Sequence, residues 1–357
     1  MNSLNKKIIE LKTSPTFAMS LGGKELFHSN FWAWLIEYGE RKFSGDNPFA
    51  QIFFKDLKGK YNLTVSREKA NRDISISHTD EIGKKHVYVI ENKLKSISTL
   101  DQLIRYQSNL KDNFAGGILT GITNDIDLSD TCWTFLSYKE ISSKLKKIVI
   151  NDTSFEATLI KQYATDIKNL SDIFSELLDI SNHSLPTSNE EISKRLGEIR
   201  FADVFIKKQA HNFESFLLND KKFVTVKNIA NDNGLELQAK VDFSHKNATI
   251  DVFLKEASGL RIGIQIQGSQ YRRFVEIPEK NQFQNVFNDF NGKWFTNYNK
   301  EKQIFGHPTS MSKEFGRFGP NSFVYQYYTL SADNLKFDIL KNSILEDIKL
   351  GINITKS

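Results

Sequence analysis

The chain has 357 residues, 39% hydrophobic and 25% charged, a soluble-globular composition long enough for two domains rather than one. No apolar run approaches a membrane span. The N-terminus, Met1-Asn2-Ser3-Leu4-Asn5-Lys6-Lys7, has basic residues without a signal-peptide core, so a cytoplasmic protein with no membrane partner is expected. The net charge of +5 sits wholly in residues 1–150, with 22 Lys and Arg against 17 Asp and Glu, while residues 151–357 carry 26 of each, which suits a polyanionic partner for the first half.

In chain order, Gly22-Gly23 is a break, and Leu26, Phe27, Phe31, Trp34, Leu35 and Tyr38 recur at helical spacing behind it, predicting an amphipathic helix over Glu25–Tyr38. Trp32 and Trp34 are expected to pack in the core rather than stack on bases. Pro48 opens a second helix to about Leu57. Strands are predicted near Leu63–Glu68, Asp73–Ser77 and His86–Asn92, then a helix over Thr99–Leu110 and strands at Ile118–Ile122 and Cys132–Tyr138. The single cysteine, Cys132, excludes an internal disulfide and is expected to be a small buried hydrophobe. Helical stretches follow at Phe155–Ile180 and Glu190–Leu218, with the polar break Asn182–Asn189 between them as the expected boundary. The chain thus divides into residues 1–185, an α/β core with a helical extension, and residues 186–357, a C-terminal α+β region. The latter has predicted strands at Leu235–Phe243, Ala248–Lys255, Arg261–Gln267 and Phe323–Leu330 and helices at Lys280–Phe295 and Asp333–Leu350. Gly316–Pro320 reads as a loop, Arg272-Arg273 as a surface pair, and the aromatic set Phe283, Phe287, Phe290, Trp294, Phe295 and Tyr298 as core.

The chemistry concentrates at Asp73, Glu91 and Lys93. Asp73 opens one predicted strand, and Glu91 and Lys93 close the next, with a short polar link containing Gly83 between them. An antiparallel hairpin would bring two carboxylates and an ammonium together at one sheet edge. Oxygen ligands are what Mg²⁺ prefers, and it takes only one or two carboxylates per site. Glu91 and Lys93 are two residues apart and share a face.

Asp73 with Glu91-Asn92-Lys93 resembles the motif of the PD-(D/E)XK nuclease superfamily, with Arg72 where that motif has Pro. Glu25-Leu26-Phe27-His28-Ser29 is similar to the Glu-x-x-His-Ser helix of one bacterial branch, and Gln102-Leu103-Ile104-Arg105-Tyr106 to its Q-x-x-x-Y helix. The four pieces come in the expected order between Glu25 and Tyr106, over roughly the first half of the chain. The resemblance implies a restriction-endonuclease-like core, a mixed sheet flanked by helices, and hydrolysis of phosphodiester bonds, most naturally in DNA, with a role in bacterial defence. It implies Mg²⁺ or Mn²⁺ on Asp73, Glu91 and the Asn92 carbonyl, with Lys93 orienting water. Glu25 and Gln102 would assist, and His28, Arg72 and Tyr106 are candidates to touch substrate, with packing of the helix as the other role open to His28. A homodimer would suit two cuts in a duplex. The competing expectation is a nucleic-acid-binding or sensor protein on the same scaffold with little turnover. An echo, Asp251 followed by Gln265 and Gln267, is expected to be a plain β-meander rather than a duplicated core.

Overall fold

The computed structural model describes residues 2–43, 45–94, 99–124, 126–181, 190–244, 247–295, 305–308, 312–315, 321–330 and 336–355. Asn182–Asn189, Tyr298 and Gly316–Pro320 lie outside them. The chain forms two compact units, Met1–Glu176 with Glu198–Arg200, and Leu177–Gly197 with Phe201–Ser357.

The first unit opens with α1 (Asn2–Thr13), which buries Leu4, Ile8 and Leu11 at helical spacing, and α2 (Pro15–Ser20). Neither helix was expected. Ser14 caps α2 by accepting from the Phe17 N–H, and Pro15 stands in its first turn. Then come α3 (Lys24–Phe43), α4 (Pro48–Phe53), β1 (Thr64–Lys69), β2 (Arg72–Thr79), β3 (Lys85–Lys93), α5 (Leu100–Leu110), β4 (Phe114–Gly121), β5 (Trp133–Ser137), α6 (Tyr138–Ile148) and α7 (Phe155–Ser181). Among the described residues the sheet has five strands in the order β1-β2-β3-β4-β5. The first three form an antiparallel meander, while β3–β4 and β4–β5 are parallel. The mixed sheet follows from chain length: the links within the meander are tight, whereas α5 carries the crossover a parallel pair needs.

Strand alternation sorts the side chains. Val87 and Val89 of β3 meet Leu103 and Tyr106 of α5, with Leu119 and Trp133. Tyr88 turns to the other face, against Phe54 at 4.8 Å between ring centroids. Trp32, fully buried, packs there on Phe53 and Tyr138, so the core role expected for it holds. Cys132 is exposed rather than buried, because β5 starts one residue after it. The expected strand also ends early: Ser137 and Glu140 form a capping box that starts α6 at Tyr138.

The β1–β2 connection is a two-residue turn. Lys69 pairs with Arg72, and Ala70 and Asn71 both have positive φ, 55° and 61°. Asn tolerates this region, but Ala carries a Cβ penalty there of roughly 1–2 kcal/mol. Ala70 is exposed, so Ala70→Gly relieves strain without touching a contact. Allowing for the greater freedom of Gly in the unfolded chain, a thermal melt is expected to show a gain of about 0.5–1 kcal/mol. A loss would show that the turn is unstrained.

The second unit contains α8 (Glu190–Gly197), α9 (Ala202–Leu218), α10 (Lys221–Asp232), β6 (Glu236–Ser244), β7 (Asn247–Lys255), β8 (Arg261–Gln267), β9 (Gln270–Ile277), α11 (Phe283–Phe290), β10 (Phe305–Pro308), β11 (Ser312–Phe315), β12 (Ser322–Leu330) and α12 (Phe337–Thr355). The helix expected over Glu190–Leu218 is two. The Phe201 N–H turns back to the Leu196 carbonyl at 2.9 Å, and Arg200 has φ 57°, a left-handed stop between α8 and α9. Among the described residues the sheet has seven strands and is antiparallel throughout. Asp251 faces Gln265 across β7 and β8, as the echo suggested. The following strand, β9, is antiparallel where β4 is parallel, so this is a meander and not a second copy of the first sheet. Ile250, Val252, Ile262, Ile264 and Val275 form one apolar face, in a core shared with Phe213, Phe223, Ile344 and Ile348 from the helices.

Arg272 and Arg273 are not a surface pair. Both lie inside β9, 7% and 3% exposed. The Arg273 guanidinium pairs with Asp347 of α12 at 2.7 Å and donates to the Trp294 carbonyl at 2.9 Å. A buried arginine survives only with its charge answered and its N–H groups used, and both conditions are met.

Candidate active site

The site follows from strand register. Ile74 pairs with Ile90, so continuing the antiparallel ladder sets Asp73 level with Glu91, with both side chains on the α5 face. Lys93, two residues on, shares that face. The Asp73 Oδ2 accepts the Asn92 N–H at 2.7 Å, which ties the start of β2 to the end of β3. The Lys93 Nζ lies 2.9 Å from Glu91 Oε1.

Helix α5 supplies the other wall. Thr99 caps it by accepting the Gln102 N–H at 3.3 Å. Gln102 then donates from Nε2 to Glu91 Oε1 at 2.9 Å, and the same nitrogen meets the Tyr106 hydroxyl at 2.6 Å, one turn along. Tyr106 donates onward to the Asn71 carbonyl in the β1–β2 turn. Glu91 is 1% exposed. Its Oε1 has two donors, yet its Oε2 is buried with no hydrogen-bond partner among the described residues. Such an orphaned oxygen is expensive unless something positive meets it.

Electrostatics agree. Burial, then repulsion from Asp73, raises the Glu91 pKa to about 7 against the pull of Lys93. Asp73 is also raised, by burial and by the charges of Glu68 and Glu25, although the Asn92 N–H and Lys93 oppose this. Burial works against the Lys93 ammonium, but Glu91, Asp73 and Glu25 outweigh it and raise its pKa. The pocket therefore holds more negative charge than its own cation neutralises, all of it on hard oxygen donors. That donor set fits Mg²⁺ or Mn²⁺. Among the described residues no group of three or more His, Cys, Asp or Glu is gathered for a metal, so Asp73 and Glu91 would be the carboxylate ligands and water or substrate oxygens would supply the rest.

Glu25 stands at the start of α3, close enough to influence both Asp73 and Lys93. Asp73, Glu91, Lys93, Gln102, Tyr106 and Glu25 are thus gathered at one place. His28 and Arg72 are not. His28 is 3% exposed, bonded through Nδ1 to the Tyr163 hydroxyl at 2.9 Å and packed on Tyr138. Burial lowers its pKa to about 3, so it is a neutral ring fixing α3 against α7, not a phosphate contact. The Arg72 side chain alternates to the face opposite Asp73 and bonds the Lys69 carbonyl at 3.3 Å. Its proposed substrate contact has no support in this geometry.

Sequence reasoning missed Thr120 and Tyr138, which with Ser29 of the Glu-x-x-His-Ser stretch surround the Asn92 side chain. The Asn itself, a buried-phase residue between Glu91 and Lys93 whose side chain alternates to the face opposite theirs, was the available signal.

Residues 16–165 match a family described as PD-(D/E)XK nuclease superfamily. No curated protein and no solved structure matches the chain. The five-stranded mixed sheet with helices on both faces is the restriction-endonuclease-like α/β fold. The matched stretch runs from α2 into α7 and spans the whole gathered pocket, and residues 16–165 are a PD-(D/E)XK nuclease superfamily domain.

Proposed function

We propose that the protein is a metal-dependent nuclease that hydrolyses phosphodiester bonds in DNA, using Mg²⁺ or Mn²⁺ bound by Asp73 and Glu91. The observation that carries this reading is the buried Glu91 Oε2, unpartnered among the described residues, beside Asp73, with Lys93 2.9 Å from the other oxygen. Within a strand the N–H and C=O of one residue face the same neighbour. Since the Asn92 N–H meets Asp73, its carbonyl is turned the same way and is the third donor. A divalent ion there would supply an activated water and neutralise charge on the phosphate.

The chain's own groups do the rest. Gln102 holds Glu91 in one rotamer, and Tyr106 holds Gln102. Lys93 offers a compact ammonium that can orient the attacking water and offset charge gained at phosphorus. Glu25 stands ready to position a further water. The positive excess of residues 1–150 favours a polyanion at this unit. No described helix is long and apolar enough to cross a membrane. A defence role and a homodimer belong to the same reading.

The test is incubation of supercoiled plasmid with the protein and Mg²⁺ or Mn²⁺. Nicked or linear product is expected from the wild type and none from Asp73→Ala. Equal products from both proteins would remove the assignment. DNA binding without cleavage under every metal tried would favour a sensor instead.

A further inference from the structure

We propose that the Asn92 side chain is a positioning residue that fixes Glu25 relative to Glu91 and Lys93. This goes beyond the backbone role given to Asn92 above, and only its kinetic part rests on the nuclease reading.

Alternation along β3 sends Glu91 and Lys93 to the α5 face and the Asn92 side chain to the opposite one, where it is 1% exposed. There its amide uses both ends. Nδ2 donates to the Glu25 carbonyl at 2.9 Å and reaches the Ser29 Oγ at 3.5 Å. Oδ1 accepts from the Tyr138 hydroxyl at 2.6 Å and the Thr120 hydroxyl at 3.3 Å. The orientation is forced: a carbonyl can only accept, so the NH₂ must face Glu25, and the two hydroxyls then donate to Oδ1. Ser29 closes the turn by donating to the same Glu25 carbonyl at 3.1 Å.

The amide thus holds the first turn of α3, which carries the Glu25 carboxylate, while its own backbone N–H holds Asp73. One residue references two acidic residues, Asp73 and Glu25, to the strand that carries Glu91 and Lys93. Tyr138, the first residue of α6, and Thr120, paired with Asn92 across β4, keep the amide from rotating away. A water-positioning carboxylate displaced by even an ångström costs rate rather than binding, so the role has a distinct kinetic signature.

The test has two arms. In the first, hydrogen exchange is compared in wild type and Asn92→Ala. Exchange over residues 24–30 is expected to rise at least roughly tenfold, with β2 and β3 unchanged; this arm needs no activity. If Asn92→Ala fails to fold, the double variant Asn92→Leu/Tyr138→Phe serves, because removing the amide and a partner together leaves fewer buried groups unpaired. In the second arm, Asn92→Ala is expected to lower kcat about 10–100-fold with KM within about twofold, and to cause no further loss in a Glu25→Gln background. Unchanged exchange over residues 24–30 would overturn the clamp. Losses that multiply independently would overturn its action through Glu25. A wild type that cleaves nothing would instead remove the nuclease reading, leaving the exchange result to decide the clamp.

Discussion

Lys93→Ala is expected to lower metal-dependent DNA cleavage by about 10²–10³-fold, the loss typical of removing one preorganised group that meets developing charge. Metal binding should survive, because the ligands proposed for the ion are Asp73 and Glu91 and not the ammonium. The variant has a second signature. Lys93 is the cation that holds the Glu91 pKa down against burial and Asp73, so its removal pushes that pKa higher. The acid limb of the residual pH–rate profile should then move to higher pH. Lys93→Arg should not restore the rate, since a planar guanidinium cannot place its charge as a compact ammonium does. Initial rates of plasmid nicking from pH 5 to 9, with Mn²⁺ binding measured alongside, decide the matter. A Lys93→Ala enzyme with wild-type rate, or one that has lost the metal, would assign this residue another role.

Glu91→Gln should make the metal-free protein more stable at pH 8 while removing its activity. The sign follows from linkage. The Glu91 pKa is raised from 4.5 to about 7 in the folded protein. Between those values the folded state binds the proton and the unfolded state does not, so stability falls as pH rises through this window. Discounted for the partner Lys93 retains in Asp73, the penalty above pH 7 is on the order of 1–3 kcal/mol. Gln carries the same shape without the charge and escapes it. For a unit of this size that is several degrees in Tm. In EDTA at pH 8 the variant should melt above wild type, and at pH 4.5 the two should converge. Added Mn²⁺ should reverse the order by stabilising only the protein that binds it. A variant that melts lower at pH 8, with a gap that closes in acid, would mean that the Glu91–Lys93 ion pair is a net stabiliser.

The legible parts of this fold are those whose signals are local. Alternation in Asp73–Ser77 and His86–Asn92 gave the hairpin, and with it the meeting of Asp73, Glu91 and Lys93. The i, i+4 spacing of Gln102 and Tyr106 put both on the face of α5 that looks at Glu91. What failed depended on distant partners. Arg272-Arg273 looked like a surface pair because Asp347, which makes Arg273 tolerable inside a sheet, lies 74 residues away. His28 could be weighed as a phosphate contact because Tyr163, 135 residues on, is invisible beside it. Two misses were avoidable. The Ser137-x-x-Glu140 capping box and the Leu4, Ile8, Leu11 spacing were both in plain view.

The pairing of Arg273 with Asp347 bears on how the polypeptide matures. Until α12 emerges from the ribosome, the Arg273 guanidinium of β9 lacks the Asp347 carboxylate that it meets in the folded unit, and closing the second unit's core around that charge is less favourable. Nearly all of the first unit, by contrast, has been synthesised by Glu176. Domains generally fold as units during synthesis, so the pocket of Asp73, Glu91 and Lys93 can assemble early, while the second unit must wait for its final helix.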